Sequence, residues 1–247
     1  MKLLLDIGNS RLKWGLLSAG RWVAQGALDH DRPWDFDAIL PPEGQLASAA
    51  GVNVAGDRMA ARVEQALAPW QVAIQWIRPA SECAGVRNAY DPTQLGADRW
   101  AAVLGASRRH DGAALVVTAG TATTIDVLTD AHVFEGGLII PGVELMKRAL
   151  AGNTAQLPFA DGVPADVPTR TVDAIHMGCL HAQAGAIERM YRHLAGQRAP
   201  MCLINGGAGP LIAPLLDMPV MLVENLVLDG VAVALNEPGF RGRGADA

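Results

Sequence analysis

Two short stretches combine glycine, hydroxyls and amides in a way that suits an anionic ligand. The first is Asp6-Ile7-Gly8-Asn9-Ser10, directly after the apolar run Leu3–Leu5. The second is Gly120-Thr121-Ala122-Thr123-Thr124, after the apolar run that starts at Leu115. Glycine lets backbone approach a ligand closely, and successive N–H groups in such a turn can cradle an anion. Asp6 falls where strand becomes turn, a place to hold a divalent cation through water. The same residue types also occur in hairpin turns for backbone reasons alone, so neither stretch is diagnostic by itself. Laid over each other, Gly8 falls on Gly120 and Asp6 on Thr118, with apolar runs on both sides. If the two turns face each other, their amides and hydroxyls can grip a polyphosphate from both sides.

A third stretch, Gly96-Ala97-Asp98-Arg99-Trp100, lies where a long loop becomes a helix. An aspartate in a first helical turn is usually a cap stabilised by the helix dipole. The sharper reading is a general base that takes the proton of a substrate hydroxyl as its oxygen attacks phosphorus. Arg99 beside it could bind an anionic group on the acceptor. Tyr90 could line the acceptor pocket or be an ordinary half-buried aromatic. Asp126 is either a cation-facing residue or a solvated strand residue. Asn205-Gly206-Gly207-Ala208-Gly209 is either a nucleotide-facing turn or a tight strand-to-helix turn. There is no G-x-x-x-x-G-K-[ST], and no G-x-G-x-x-G follows a strand in the first βα unit. His176 and His181 are too far apart in sequence to share one metal-binding helix face.

The elements that would position these groups come in two similar runs. Met1–Leu17 reads as a hairpin and Arg21–Leu28 as a third strand. His30–Glu43 reads as loop, Leu46–Val54 as a buried strand, and Asp57 as the cap of a helix to about Ala68. Gln71–Ile77 reads as a strand, Arg78–Gly96 as a long loop of the kind that is often functional, and Ala97–His110 as a helix. The second run begins with the hairpin at Leu115 and a strand over Ala131–Ile140. Pro141 opens a helix, Gly152–Pro168 is loop, and Thr169–Ala195 is the longest helical pattern. A strand at Pro200–Ile204, a helix, a strand at Val220–Val223 and a helix at Leu228–Leu235 follow. Each half is thus a three-stranded meander followed by alternating helices and strands. That pattern predicts an α/β fold made of a duplicated ribonuclease-H-like unit, with a ligand cleft between the halves. The expected division is 1–113, 114–240 and a disordered tail over 241–247.

Composition removes other classes. The chain has 247 residues, half of them hydrophobic, and a net charge of −5. No basic run or aromatic-basic patch is present, which disfavours nucleic acid as a partner. Three cysteines with no C-x-x-C pair fit neither a zinc site nor a disulfide framework and suit a reducing cytoplasm. No apolar run approaches the roughly 20 residues of a membrane span.

Taken in order, Asp6–Ser10, Gly96–Arg99, Gly120–Thr124 and Gly136-Gly137 through Pro141-Gly142 closely resemble the type III pantothenate kinases. These belong to the superfamily of acetate and sugar kinases, Hsp70 and actin, whose actin-like ATPase fold is the duplicated unit read above. The resemblance implies ATP-dependent phosphorylation of pantothenate to 4′-phosphopantothenate, the first step of coenzyme A biosynthesis. It implies that Asp6, Ile7, Gly8, Asn9, Ser10, Arg11, Leu12 and Lys13 form the first phosphate loop, and that Gly120 and Thr121 contact ATP in the second. Asp98 is implied as the base. Tyr90, Gly96, Ala97, Asp98, Arg99 and Thr171 are implied as pantothenate contacts. Mg2+ is implied with ATP, together with a homodimer and a monovalent cation, K+ or NH4+. The family usually has Asp where this chain has Thr118, and a neutral hydroxyl is a poorer ligand for a hard cation. Weaker dependence on the monovalent cation than is usual for the family is therefore expected. Some relatives were first described as transcription accessory factors, so the competing reading is a nucleotide-binding regulator without turnover.

Overall fold

The structure is a computed structural model and describes residues 1–154 and 156–237. The tail expected over 241–247 lies outside the described residues. The chain divides into two compact units, one formed by 1–109 together with the segment from Leu226 onward, the other by 110–225.

In the first unit, β1 (Lys2–Ile7), β2 (Arg11–Ser18) and β3 (Arg21–Asp29) form the antiparallel meander, and β4 (Ser48–Asn53) lies parallel to β1. Leu3, Leu4 and Leu5 are all fully buried. This apolar run makes β1 a central strand, covered on both faces. β3 instead alternates exposed and half-buried positions, as an outer strand does. Helix α1 (Asp57–Leu67) leads to β5 (Ile74–Trp76), which completes the sheet in the order β3-β2-β1-β4-β5. Gly56, not Asp57, caps α1; its φ of 88° is one that glycine adopts without strain, and Asp57 sits in the first turn. The stretch read as a long loop contains a small hairpin of β6 (Glu82–Cys83) and β7 (Val86–Asn88). Its turn, Ala84-Gly85, has positive φ at both residues. Alanine at the first of these hides the usual Asn-Gly signature. Helix α2 (Ala97–Arg109) follows and carries Asp98.

The second unit repeats the plan. β8 (Ala114–Ala119), β9 (Ala122–Leu128) and β10 (Val133–Pro141) form its meander. The register shifts between Phe134 and Gly136, a bulge at which Gly136 takes φ 116°. Pro141 ends β10 instead of opening the helix, and Gly142 caps α3 (Val143–Asn153). The long helix α4 (Thr171–Tyr191) precedes β11 (Met201–Asn205), the single-turn α5 (Gly209–Ile212) and β12 (Val220–Leu222). Within this unit the strand order is β10-β9-β8-β11-β12. It matches the first unit strand for strand. This is the duplicated α/β unit of the actin-like ATPase fold.

The last helix among the described residues, α6 (Leu226–Leu235), belongs to the first unit. Leu226, Val227, Leu228, Val231 and Ala234 on it are buried. It meets α2 through two glycines. A Cβ on Gly105 would stand 2.1 Å from the Leu226 carbonyl oxygen, and one on Gly230 would stand 1.7 Å from that of Ala101. The two backbones therefore touch, and no side chain can be inserted without separating them. Arg109 closes the same seam with a 2.8 Å ion pair to Asp229. Gly230→Ala should accordingly cost on the order of 2–3 kcal/mol in urea unfolding. A loss below about 0.5 kcal/mol would contradict this packing.

Candidate functional site

The turn between β1 and β2 is closed by the Gly8 N–H, which donates to the Arg11 carbonyl at 3.1 Å. Gly8 does not need to be glycine for conformational reasons, because its φ lies outside the left-handed region. Nor does packing require it. A Cβ there would meet nothing nearer than the Arg11 oxygen at 3.4 Å, an ordinary contact. Gly120 is the same: its N–H donates to the Ala122 carbonyl at 3.1 Å, and a Cβ would lie 3.6 Å from that oxygen. Both turns keep open a space that a methyl group would fill, which suits a closely approaching phosphate. With the Gly8 N–H used inside its turn, the exposed Asn9 N–H at the tip is left for a ligand. Ile7 and Leu12 are fully buried. Their side chains belong to the core, so only their backbone can serve a ligand.

Asp6 is 7% exposed and pairs across the strands with Lys13. Burial pushes its carboxyl up to about 6; Lys13 opposes the shift and the charge of Asp98 adds to it. Asp98 is half-buried in the first turn of α2, where the Trp100 N–H donates to the Gly96 carbonyl at 3.1 Å. Its Oδ1 accepts the Arg99 N–H at 2.8 Å. Burial raises its pKa against the pull of that hydrogen bond and of the Arg99 guanidinium. Gly96 makes room for the carboxylate, since a Cβ there would stand 2.6 Å from Oδ1. Arg99 is only 5% exposed, with its guanidinium 5.2 Å from the centre of the Tyr90 ring. The first unit thus gathers Asp6 and Asp98 electrostatically, and Asp98, Arg99 and Tyr90 by contact. Gly96 and Ala97 also border a cavity of about 870 Å³ whose lining includes Trp76 and Arg78.

In the second unit, Thr121 is exposed beside Gly120, and Thr171 is exposed at the first residue of α4. The Thr118 hydroxyl accepts a hydrogen bond from the Asn205 amide at 2.9 Å; the same nitrogen donates to the Val117 carbonyl at 3.0 Å. Asp126 is fully buried, so it is not a solvated strand residue. In the Asn205–Gly209 turn, Gly206 is required by the turn itself, with φ 95° and a would-be Cβ 2.4 Å from the Ala119 oxygen. Gly207 has open space around it and no such requirement. Among the described residues, no group of three His, Cys, Asp or Glu side chains could hold a metal ion.

One group at the site has no motif to announce it. His30 Nε2 donates to the Gly8 carbonyl at 2.7 Å, across 22 positions of sequence. The register Arg11↔Asp29 is what brings residue 30 beside the turn.

The buried carboxyl of Asp6 has a stability consequence. Its folded pKa of about 6 exceeds the ordinary 3.8. Its ionisation therefore costs stability as pH rises through this window, and the cost persists above it. Asp6→Asn should raise the stability of the ligand-free protein at pH 7.5 by roughly 1–3 kcal/mol, and change it little near pH 4, where Asp6 is protonated. Thermal melts at both pH values check this. Equal gains at the two, or a loss at pH 7.5, would refute it.

Comparisons with known proteins show the family. The profile described as type III pantothenate kinase matches residues 2–193. A type III pantothenate kinase of Aromatoleum aromaticum is 51% identical over 96% of this chain and 98% of the relative. One from Azoarcus is 47% identical over 94% of this chain and 90% of the relative. Among solved structures, a Campylobacter jejuni protein described as a candidate Baf family transcriptional activator aligns with a TM-score of 0.61 at 22% identity, covering 93% of this chain and 95% of that one. The ethanolamine utilization protein EutJ of Carboxydothermus hydrogenoformans aligns at 0.56 and 13% identity over 94% and 89%. These two likenesses concern the fold, whereas the extent and identity of the sequence matches decide the family: the chain belongs to the type III pantothenate kinases.

Proposed function

We propose that the protein transfers the γ-phosphoryl group of ATP to the primary hydroxyl of pantothenate, giving 4′-phosphopantothenate and ADP, the first step of coenzyme A synthesis. The observation that carries this reading is the pair of turns at Gly8 and Gly120, each holding open a space that neither conformation nor chain packing explains. In the same unit as the first of them stands the half-buried carboxylate of Asp98, whose proton affinity burial raises.

The roles follow from the chemistry. The Asn9 N–H and the Gly120-Thr121 turn meet phosphate oxygens. The substrate hydroxyl oxygen forms the new bond to phosphorus while the bond to the ADP oxygen breaks, and Asp98 accepts the hydroxyl proton. Its raised pKa brings it closer to that of the group it serves. Arg99 offers its guanidinium to the pantothenate carboxylate, with Tyr90 and Thr171 as further contacts. Asp6 would hold Mg2+, which supplies charge neutralisation on the phosphates when bound. For the monovalent cation, Thr118 offers a neutral oxygen that already accepts the Asn205 amide. The proposal includes a homodimer. Large apolar side chains exposed on β10, α3 and the following loop, among them Ile139, Phe159, Val163 and Val167, support it. It also places the protein in the cytoplasm; no described helix is long and apolar enough to cross a membrane.

ADP release with and without pantothenate tests the reading. Asp98→Asn should lower kcat by ~10²–10⁴-fold while nucleotide still binds, and should remove the acid limb of the wild-type rate profile, which lies above the ordinary aspartate range. Gly96→Ala, by displacing the same carboxylate, should lower kcat in the same assay with little change in melting temperature. Full activity in Asp98→Asn would remove it from the role of base. Binding of ATP by wild type without pantothenate-dependent turnover would point to the regulatory reading.

The Thr118 hydroxyl also makes a statement about ions. Replacing K+ by Na+ should change kcat/KM less than about threefold, and strong K+ activation would sink that expectation.

A further inference from the structure

We propose that His30 is a positioning residue that locks the first phosphate loop in its anion-binding form. This rests on the phosphate-loop reading above and concerns a residue outside every stretch that carries the family resemblance. The Gly8 carbonyl can only accept, so the hydrogen in the 2.7 Å contact is on Nε2 of His30. The Gly8 carbonyl and the Asn9 N–H belong to one planar trans peptide and point in opposite directions. By holding the carbonyl, His30 aims the Asn9 N–H away from itself, toward the exposed tip of the turn. Gly8 has no Cβ to hinder rotation of that peptide. A flipped peptide would present its carbonyl to the phosphate, and binding would turn from attraction to repulsion. His30 removes that alternative.

Two further observations support this assignment over simple packing. The other ring nitrogen, Nδ1, is buried with no partner among the described residues. A buried unpaired nitrogen costs stability, and a phenyl ring would fill the same place without that cost. What histidine adds is the Nε2 donor. The segment that carries the ring is also held in place. Arg62 of α1 donates to the carbonyls of His30 at 2.7 Å and Arg32 at 2.8 Å, and lies 3.8 Å above the Trp34 ring. Trp34 in turn stands 5.9 Å from the His30 ring and donates to the Asp29 carbonyl at 3.0 Å. Asp29 pairs with Arg11, on the other side of the turn, at 2.7 Å.

The test compares His30→Phe, which keeps the ring without the donor, with His30→Gln, whose amide can donate from the place of Nε2. The readouts are Kd for a fluorescent ATP analogue with Mg2+, KM for pantothenate, and melting temperature. His30→Phe should weaken nucleotide binding roughly tenfold, leave the pantothenate KM within about twofold, and not lower the melting temperature. His30→Gln should recover to within about threefold of wild type. Wild-type nucleotide affinity in His30→Phe, equal losses in both variants, or a matching rise in the pantothenate KM overturns the proposal. If the phenyl variant does not fold, the contrast of His30→Gln with the shorter His30→Asn carries the same test. Wild type that binds nucleotide without turning over pantothenate defeats the acceptor assignment and leaves the His30 comparison standing. Wild type that binds no nucleotide overturns both.

Discussion

The structure turns on two carboxylates in one unit, one buried and one half-buried. Asp6 is buried at the end of β1, and Asp98 feels its charge from the start of α2. Neither would be placed there for stability, since burial disfavours the charged form of each. Their neighbours offset part of the penalty: Lys13 across the strand pair, and the Arg99 N–H and guanidinium beside Asp98. The remainder is stored as readiness to bind positive charge or a proton. A kinase site requires both, a cation with the nucleotide and a proton acceptor for the hydroxyl.

Holding those carboxylates requires rigid supports, and the sequence supplies them from its least polar segments. β1 is fixed by burial on both faces. α2 is fixed by glycine-mediated contact with α6 and by the Arg109–Asp229 pair. The polar turn at Gly8, with Asn9 and Ser10 exposed, has no side chain driven inward. It is instead clamped by two hydrogen bonds, the Gly8 N–H donating to the Arg11 carbonyl and the Gly8 carbonyl accepting from His30.

Much of this was legible in the residues. The meanders, the helices and strands that follow them and the duplicated order follow from apolar runs of strand length separated by turn residues, and the structure bears them out. Gly8, Gly120 and the Gly96–Arg99 stretch stand out because glycine beside polar groups is a local signal. What escaped has non-local causes. The β6–β7 hairpin was hidden because alanine occupies a positive-φ turn position. Asp126 is buried although its identity suggests water. His30 sits in a segment read as plain loop, and its importance comes from strand register, which no single window contains. The return of α6 to the first unit depends on matching close-packed glycines more than a hundred residues apart.

That return has a consequence during synthesis. A ribosome makes the chain from its N-terminus, so the first unit emerges before the second. Yet its α2 lacks its partner helix until residues 226–235 have been made. The second unit, 110–225, is contiguous in sequence and can close while the first still waits. The half that carries Asp6 and Asp98 is thus begun first and finished last. A chain that stops short of residues 226–235 leaves α2, the helix that carries Asp98, without the partner it packs against.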